Sequence, residues 1–259
     1  MQQLFLVGCP RSGTTILQSL LAAHPDITSF PETQFFLHLW GDDLGRTLAE
    51  RLTIFFAEDI ARPEFLETMQ PYQNVTDRIK WFVSILDELA AENGNNIWLE
   101  KTPQHLFFIE DITQHLPEAK FIHITRNPLD PIASLYLATR MPPKPGRSWG
   151  EPWTLERCVT LWKQSDRATK FYADNPQHLV VSYEELTANP PAILSECCKF
   201  IGVEYSPEML AGYKSEALRL SLGLLWHQGV DRDIQPAKSN YQNVFQPWEI
   251  DYINHKLQT

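Results

Sequence analysis

Leu4-Phe5-Leu6-Val7-Gly8-Cys9-Pro10-Arg11-Ser12-Gly13-Thr14-Thr15-Ile16-Leu17-Gln18-Ser19-Leu20-Leu21 is the stretch from which the rest of the chain can be read. An apolar run of strand length, Leu4 to Val7, enters a turn bounded by two glycines. Beyond it Ile16, Leu17, Leu20 and Leu21 recur at helical spacing. Strand, glycine loop and helix in that order make an anion site. Free N–H groups of the loop and first helical turn converge at the positive end of the helix dipole. The spacing Gly8-x4-Gly13-Thr14-Thr15 is that of the phosphate-binding loop of nucleotide hydrolases, with one departure. Thr14 occupies the place of the lysine that would reach the β- and γ-phosphates, and Arg11 stands inside the loop instead. The loop is therefore built for a phosphate-like group but not for ordinary triphosphate chemistry.

The 259 residues suffice for a full core, and 43% hydrophobic and 12% aromatic content are those of a globular chain. A net charge of −10 argues against a partner held by broad phosphate neutralisation, so no nucleic acid is expected. It leaves room for a small anion held by a local cluster of cations. Cys9, Cys158, Cys197 and Cys198 are too scattered for a disulfide framework, and neither they nor the eight histidines show metal-ligand spacing, so no metal is expected. No apolar run reaches the ~18 residues of a membrane span, and no signal-peptide pattern opens the chain. A cytoplasmic protein without a transmembrane segment is the expectation.

Apolar patterning then sets the order of elements. Strands are expected at Leu4–Val7, Ile27–Phe30, Ile97–Glu100, Lys120–Thr125 and His178–Ser182. Helices are expected from Leu44 to Ile60, Val75 to Ala91, His105 to Leu116, Pro128 to about Arg140 with Asn127 as cap, Thr154 to Tyr172, Pro191 to Ile201, Pro207 to Tyr213 and Gln246 to Leu257. The proline-rich stretch Met141–Trp153 reads as a loop, a candidate lid, and Leu218–Tyr241 as irregular chain. Alternating strands and helices imply one α/β domain, residues 1–259, with a parallel sheet between helical layers. The helices of 34–92 fall between two strands and predict a helical cap.

In an open parallel sheet, ligands bind outside the carboxyl ends of the strands. Three strands end near cations, Arg11, Lys101 and Arg126, which would converge on one crevice. Ser134, eight residues after Arg126, lies about two helical turns along the following helix and is placed to help it hold a second phosphate.

Gly8 to Thr15, together with Arg126-Asn127-Pro128-Leu129-Asp130 and Ser134, resembles the sulfotransferase family, whose donor is 3′-phosphoadenosine 5′-phosphosulfate (PAPS). The likeness is strongest to the branch of protein-tyrosine sulfotransferases and related bacterial enzymes. There a glutamate base follows the loop arginine by twenty-one residues, as Glu32 follows Arg11 here. The branch's strand-end lysine matches Lys101 in Glu100-Lys101-Thr102-Pro103, and its Tyr-Glu-x-Leu matches Tyr183-Glu184-Glu185-Leu186. The branch's C-terminal Ser-Lys-Trp is replaced by Ser239-Asn240-Tyr241, which leaves open whether Lys238, Ser239 or Asn240 meets the nucleotide.

The resemblance implies a P-loop-like three-layer fold and sulfuryl transfer from PAPS to a hydroxyl of a small molecule, lipid-like compound or sugar, with 3′-phosphoadenosine 5′-phosphate (PAP) as product and no metal. By resemblance Glu32 is the base, with Lys101 and Arg11 stabilising the leaving side. Arg11, Ser12, Gly13, Thr14 and Thr15 hold the 5′ end; Arg126, Ser134 and Tyr183 hold the rest of the nucleotide. A P-loop kinase using ATP and a non-catalytic nucleotide-binding protein are the alternatives. Self-association into a homo-oligomer is left open.

Overall fold

The computed structural model describes residues 1–40, 44–69, 74–141, 151–221 and 233–258. Five strands, β1 (Gln2–Gly8), β2 (Ile27–Ser29), β3 (Ile97–Glu100), β4 (Lys120–Thr125) and β5 (His178–Ser182), form one parallel sheet in the order β2-β3-β1-β4-β5. Phe5 of β1 lies opposite Glu100 of β3 and Phe121 of β4, so the carboxyl ends of the strands finish close to one another.

Alternation along β1 divides the core. Leu4 and Leu6 point to the face covered by α1 (Thr14–Ala22), α10 (Pro190–Ile201) and α11 (Glu208–Ser221). Phe5 and Val7 point to the other face, with α2 (Phe35–Leu39), α3 (Leu44–Thr53) and α5 (Val75–Glu92). On that face Phe35 stacks on Phe82 at 4.1 Å and Phe5 on Phe121 at 5.4 Å. Each such buried ring contributes about 1.5–3 kcal/mol. The short α4 (Glu64–Glu67) precedes α5, and α6 (Ile109–His115) precedes β4. A third cluster joins α7 (Leu129–Ala138), α8 (Leu155–Tyr172) and Phe245, which precedes α12 (Pro247–Gln258). The remaining short helix, α9 (Tyr183–Ala188), follows β5 directly.

Three helical expectations change in detail. The helix expected from Leu44 to Ile60 is α3 followed by a π-helical stretch, Ile54–Asp59, closed by Ile60 N–H to Phe55 O at 3.0 Å. The wider turn brings Phe55, Phe56 and Asp59 inward together. From Pro103 to Phe108 the chain is 3₁₀ rather than α, because His105 is tied to Thr102 O by its backbone and to β3 by its ring. Helix α11 runs past Tyr213 to Ser221, its last turns anchored by buried Ala217 and Leu220 and by Arg219 donating to Ser29 O at 3.0 Å. Asn127 does act at the start of α7, its side chain accepting from Leu129 N–H at 3.3 Å. Most of the Met141–Trp153 stretch (142–150), and residues 222–232 of the Leu218–Tyr241 stretch, lie outside the described residues. Among the described residues no helix is long and apolar enough to cross a membrane.

Candidate active site

Each strand delivers one polar side chain to the same end of the sheet: Arg11 after β1, Glu32 after β2, Lys101 after β3, Arg126 after β4 and Tyr183 after β5. Parallel strands all point the same way, so this convergence follows from topology.

The loop after β1 is shaped by backbone constraints. At Gly8 a Cβ would lie 2.5 Å from the Ile124 carbonyl oxygen of β4, and at Gly13 one would lie 2.3 Å from the Tyr183 ring. Gly13 has φ +100°, and Arg11 has φ +74°, a left-handed conformation that costs a non-glycine residue about 1–2 kcal/mol. That strain aims the Arg11 side chain at α7, where Nε donates to Ser134 Oγ at 3.0 Å. Burial holds the Arg11 guanidinium below its ordinary pKa, an effect that nearby Glu32 opposes and nearby Arg126 reinforces. Glu32 and Arg126 are therefore both near enough to act on the Arg11 charge. Helix α1 begins at Gly13 with no side-chain cap and no acidic residue in its first turn, leaving the positive end of its dipole uncompensated. Thr14 is buried and Thr15 half-buried in that turn.

On the β4–β5 side, the Arg126 guanidinium lies 4.1 Å over the Tyr183 ring and 3.9 Å from Asp130 Oδ2. The Asp130 carboxylate also accepts from Ser239 Oγ and from Asn240 N–H, both at 2.9 Å. This pins the C-terminal segment beside Arg126, while Lys238 is exposed. Glu184 accepts from Asn127 N–H at 2.9 Å and so ties the start of α9 to the turn after β4. Behind the loop a cavity of about 20 Å³ is lined in part by Cys9, Ser12, Thr125, Arg126 and Ser165. Among the described residues Arg126 Nε and Ser12 Oγ are buried without a geometrically sound hydrogen-bond partner, with the Cys9 thiol near Ser12. Burial pushes that thiol up to about 12, so Cys9 is no nucleophile at neutral pH.

On the β2–β3 side, Lys101 is buried and its Nζ is bonded to Glu32 Oε1. Glu32 is the more open partner, its side chain 30% exposed. Next to Lys101, the fully buried Glu100 carboxylate accepts from Thr33 N–H (3.2 Å), Thr33 Oγ1 (2.8 Å), Thr102 Oγ1 (2.6 Å) and His105 Nδ1 (2.8 Å). Burial alone would raise its pKa; the bonds from His105 and from the Thr102 and Thr33 hydroxyls oppose it and hold the carboxyl below its ordinary value. His105 Nε2 accepts from Phe36 N–H at 3.3 Å, so its proton sits on Nδ1 and neither ring nitrogen is left to serve as a base. Arg51 of α3 reaches the same turn, donating from Nη2 to Glu32 O and from Nε to Thr33 O at 3.0 Å.

Of the side chains singled out in the sequence, Lys101 is bonded to Glu32, Arg11 is bonded to Ser134 with Glu32 and Arg126 near enough to act on its charge, and Arg126 lies over Tyr183; Lys238 is exposed. Sequence reasoning missed Arg51, Glu100 and the clamp of Asp130 on Ser239 and Asn240. A guanidinium with a free Nε–H, hydroxyls and uncapped helix amides form a donor set for an anion. Among the described residues no group of three or more His, Cys, Asp or Glu side chains is disposed to hold a metal ion.

A P-loop-like α/β protein with an anion site at its sheet ends is the class that fold and geometry define. The model of the Sulfotransferase family matches residues 3–207, and the chain belongs to that family. Nodulation protein NoeE of Sinorhizobium fredii is 33% identical over 154 residues, covering 60% of this chain and 33% of NoeE. A putative protein-tyrosine sulfotransferase of Caenorhabditis briggsae is 25% identical over 214 residues, covering 81% of this chain and 68% of that protein. The chain therefore spans about a third of the length of the first relative and about two thirds of the second. Among solved structures, the sulfotransferase domain from the curacin biosynthetic pathway superposes with a TM-score of 0.61 at 18% identity, covering 99% of this chain and 97% of that one. Mouse sulfotransferase SULT7A1, crystallised with PAP, superposes with a TM-score of 0.60 at 16% identity, covering 98% and 82%.

Proposed function

We propose that this chain moves the sulfuryl group of PAPS to a hydroxyl of a small-molecule acceptor and releases PAP. PAPS, when bound, supplies an activated sulfuryl group and needs no metal to do so. Arg11, Ser12 and the amides of Gly13, Thr14 and Thr15 hold the 5′ end; Arg126 and Ser134 hold the 3′-phosphate, with Tyr183 carrying Arg126 on its ring. Glu32 takes the proton of the acceptor hydroxyl as its oxygen forms the new bond to sulfur. Lys101 and Arg11 balance the negative charge left on the 5′-phosphate side as the old sulfur–oxygen bond breaks. The bond between Lys101 Nζ and Glu32 Oε1 supports assigning both residues to the reacting end.

The observation that carries this reading is Arg11, whose Nε donates to Ser134 Oγ at 3.0 Å while Glu32 and Arg126 both act on its charge. An ATP site would need the lysine that Thr14 replaces, and family membership sets the kinase reading aside. We take the chain as one sulfotransferase domain with 34–92 as its cap; Phe35, Phe55 and Phe82 of that segment share a core with Phe5 and Phe121 of the sheet, which supports the assignment. Four free, buried cysteines fit a reducing, cytoplasmic setting.

The test is transfer of label from sulfur-labelled PAPS to p-nitrophenol, octanol and methyl glucoside, beside γ-labelled ATP. Transfer from PAPS to at least one hydroxyl, with none from ATP, is expected. Transfer from ATP, or tight PAP binding with no transfer to any hydroxyl, would overturn the reading.

A further inference from the structure

We propose that Arg51 is a positioning residue, which holds the Glu32–Thr33 backbone so that the Glu32 carboxylate meets Lys101. The inference rests on the reading of Glu32 as the base. Arg51 is buried, and its one guanidinium spans both the Glu32 and Thr33 carbonyls while Nη2 pairs with buried Asp59 Oδ2 at 3.1 Å. The planar fork makes these contacts from two separated nitrogens, Nε to Thr33 O and Nη2 to Glu32 O and Asp59; a lysine would have to make them all from one atom. From the opposite side the end of β3 grips the same turn by its amides: Thr33 N–H donates to Glu100, and Gln34 N–H donates to Thr102 Oγ1 at 3.0 Å. Gln34 is left-handed, with φ +53°, and such a conformation persists only where its surroundings over-determine it.

Arg51 and Asp59 both come from the segment between β2 and β3, and the π-helical stretch that ends in Asp59 is a type of interruption found repeatedly at functional sites. The charged groups around Arg51 are Glu32, Asp59, Glu58 and Glu100, and His38 feels its charge. Arg51 thus connects the helical segment to the base through the main chain. A misplacement of about 1 Å at such a position costs on the order of 100-fold in rate.

The experiment compares wild type, Arg51→Ala, Arg51→Lys, Glu32→Ala and the double variant Glu32→Ala/Arg51→Ala, using labelled PAPS and the fastest of the three probe acceptors. Arg51→Ala should lose about 10- to 100-fold in kcat with PAP affinity within about twofold of wild type. The acid limb of its kcat profile should move to higher pH, because a cation near Glu32 is gone. Arg51→Lys should restore the limb but not the rate. In the Glu32→Ala background, removing Arg51 should cost no more than about twofold. Crystals of Arg51→Ala with PAP, which require no acceptor, should show the Glu32 carboxylate withdrawn from Lys101. Unchanged kcat, additive losses in the double variant, or Glu32 still seated on Lys101 would each overturn the proposal. If Arg51→Ala does not fold, Arg51→Lys carries the kcat and crystal readings. Full turnover in Glu32→Ala would instead refute the base assignment, independently of Arg51.

Discussion

Replacing Glu100 by glutamine changes one atom in a site where no proton can be misplaced. Glu100 Oε1 accepts from Thr33 N–H, Thr33 Oγ1 and Thr102 Oγ1, so the amide oxygen of the glutamine must take that place. Its NH2 group then faces the Nδ1–H of His105, where the carboxylate had accepted at 2.8 Å. Moving the His105 proton to Nε2 only transfers the conflict, because Nε2 faces Phe36 N–H at 3.3 Å. One pair of buried donors is left opposed in either tautomer, at about 1–3 kcal/mol, and the three remaining bonds lose their charge assistance. A total loss near 3 kcal/mol is expected, equivalent to a fall in Tm of about 6–12 °C. Urea unfolding of wild type and Glu100→Gln at neutral pH measures it. The same carboxyl, held below its ordinary 4.5, binds its proton later in the folded than in the unfolded chain. Its stabilisation is therefore full above about pH 4.5 and is lost as pH falls below it, and the variant should be flatter in that range. A loss below about 1 kcal/mol at neutral pH would refute the proton accounting.

Other consequences follow from the same geometry. His123 and His178 share a buried bond of 2.8 Å, and burial lowers them to about 3 and about 4. The unfolded chain protonates both first, so stability should be full above about pH 6.5 and fall through the window down to about 4, by up to about 1.4 kcal/mol per pH unit for each; a urea midpoint unchanged between neutral pH and pH ~5 would contradict this. Gly13→Ala puts a Cβ 2.3 Å from the Tyr183 ring that carries Arg126, so PAP affinity by calorimetry should fall more than about tenfold; an unchanged affinity would show that the ring moves without consequence. Arg126→Ala should weaken PAP by about 10- to 100-fold and adenosine 5′-phosphosulfate, which lacks the 3′-phosphate, far less. Equal losses would remove the 3′ assignment.

The sheet and its polar ends were legible because local signals made them so. The run Leu4 to Val7, the two glycines and the helical spacing from Ile16 to Leu21 each constrain the backbone before any tertiary contact forms, and β1 and α1 follow them. Arg126 was legible as a cation at a strand end and Ser134 as a hydroxyl about two turns further on, but the bond that Ser134 makes, to Arg11, was not. Arg51 carries no such signal. In sequence it is one more cation on an amphipathic helix, and its role depends on a long-range contact with a turn nineteen residues earlier. Glu100 was visible only as a strand-end acid beside Lys101; its four donors come from Thr33, Thr102 and His105, which the fold brings together. The π-helical stretch was equally hidden, since Phe55, Phe56 and Asp59 turn inward in answer to the aromatic core and to Arg51.

Turnover of labelled PAPS by wild type and Glu32→Ala, each with its PAP affinity measured beside it, tests the central claim most directly. With Glu32 as the base, the variant should bind PAP within about twofold of wild type and lose about 10²- to 10⁴-fold in kcat. Equal turnover by the two proteins on the same acceptor would contradict it.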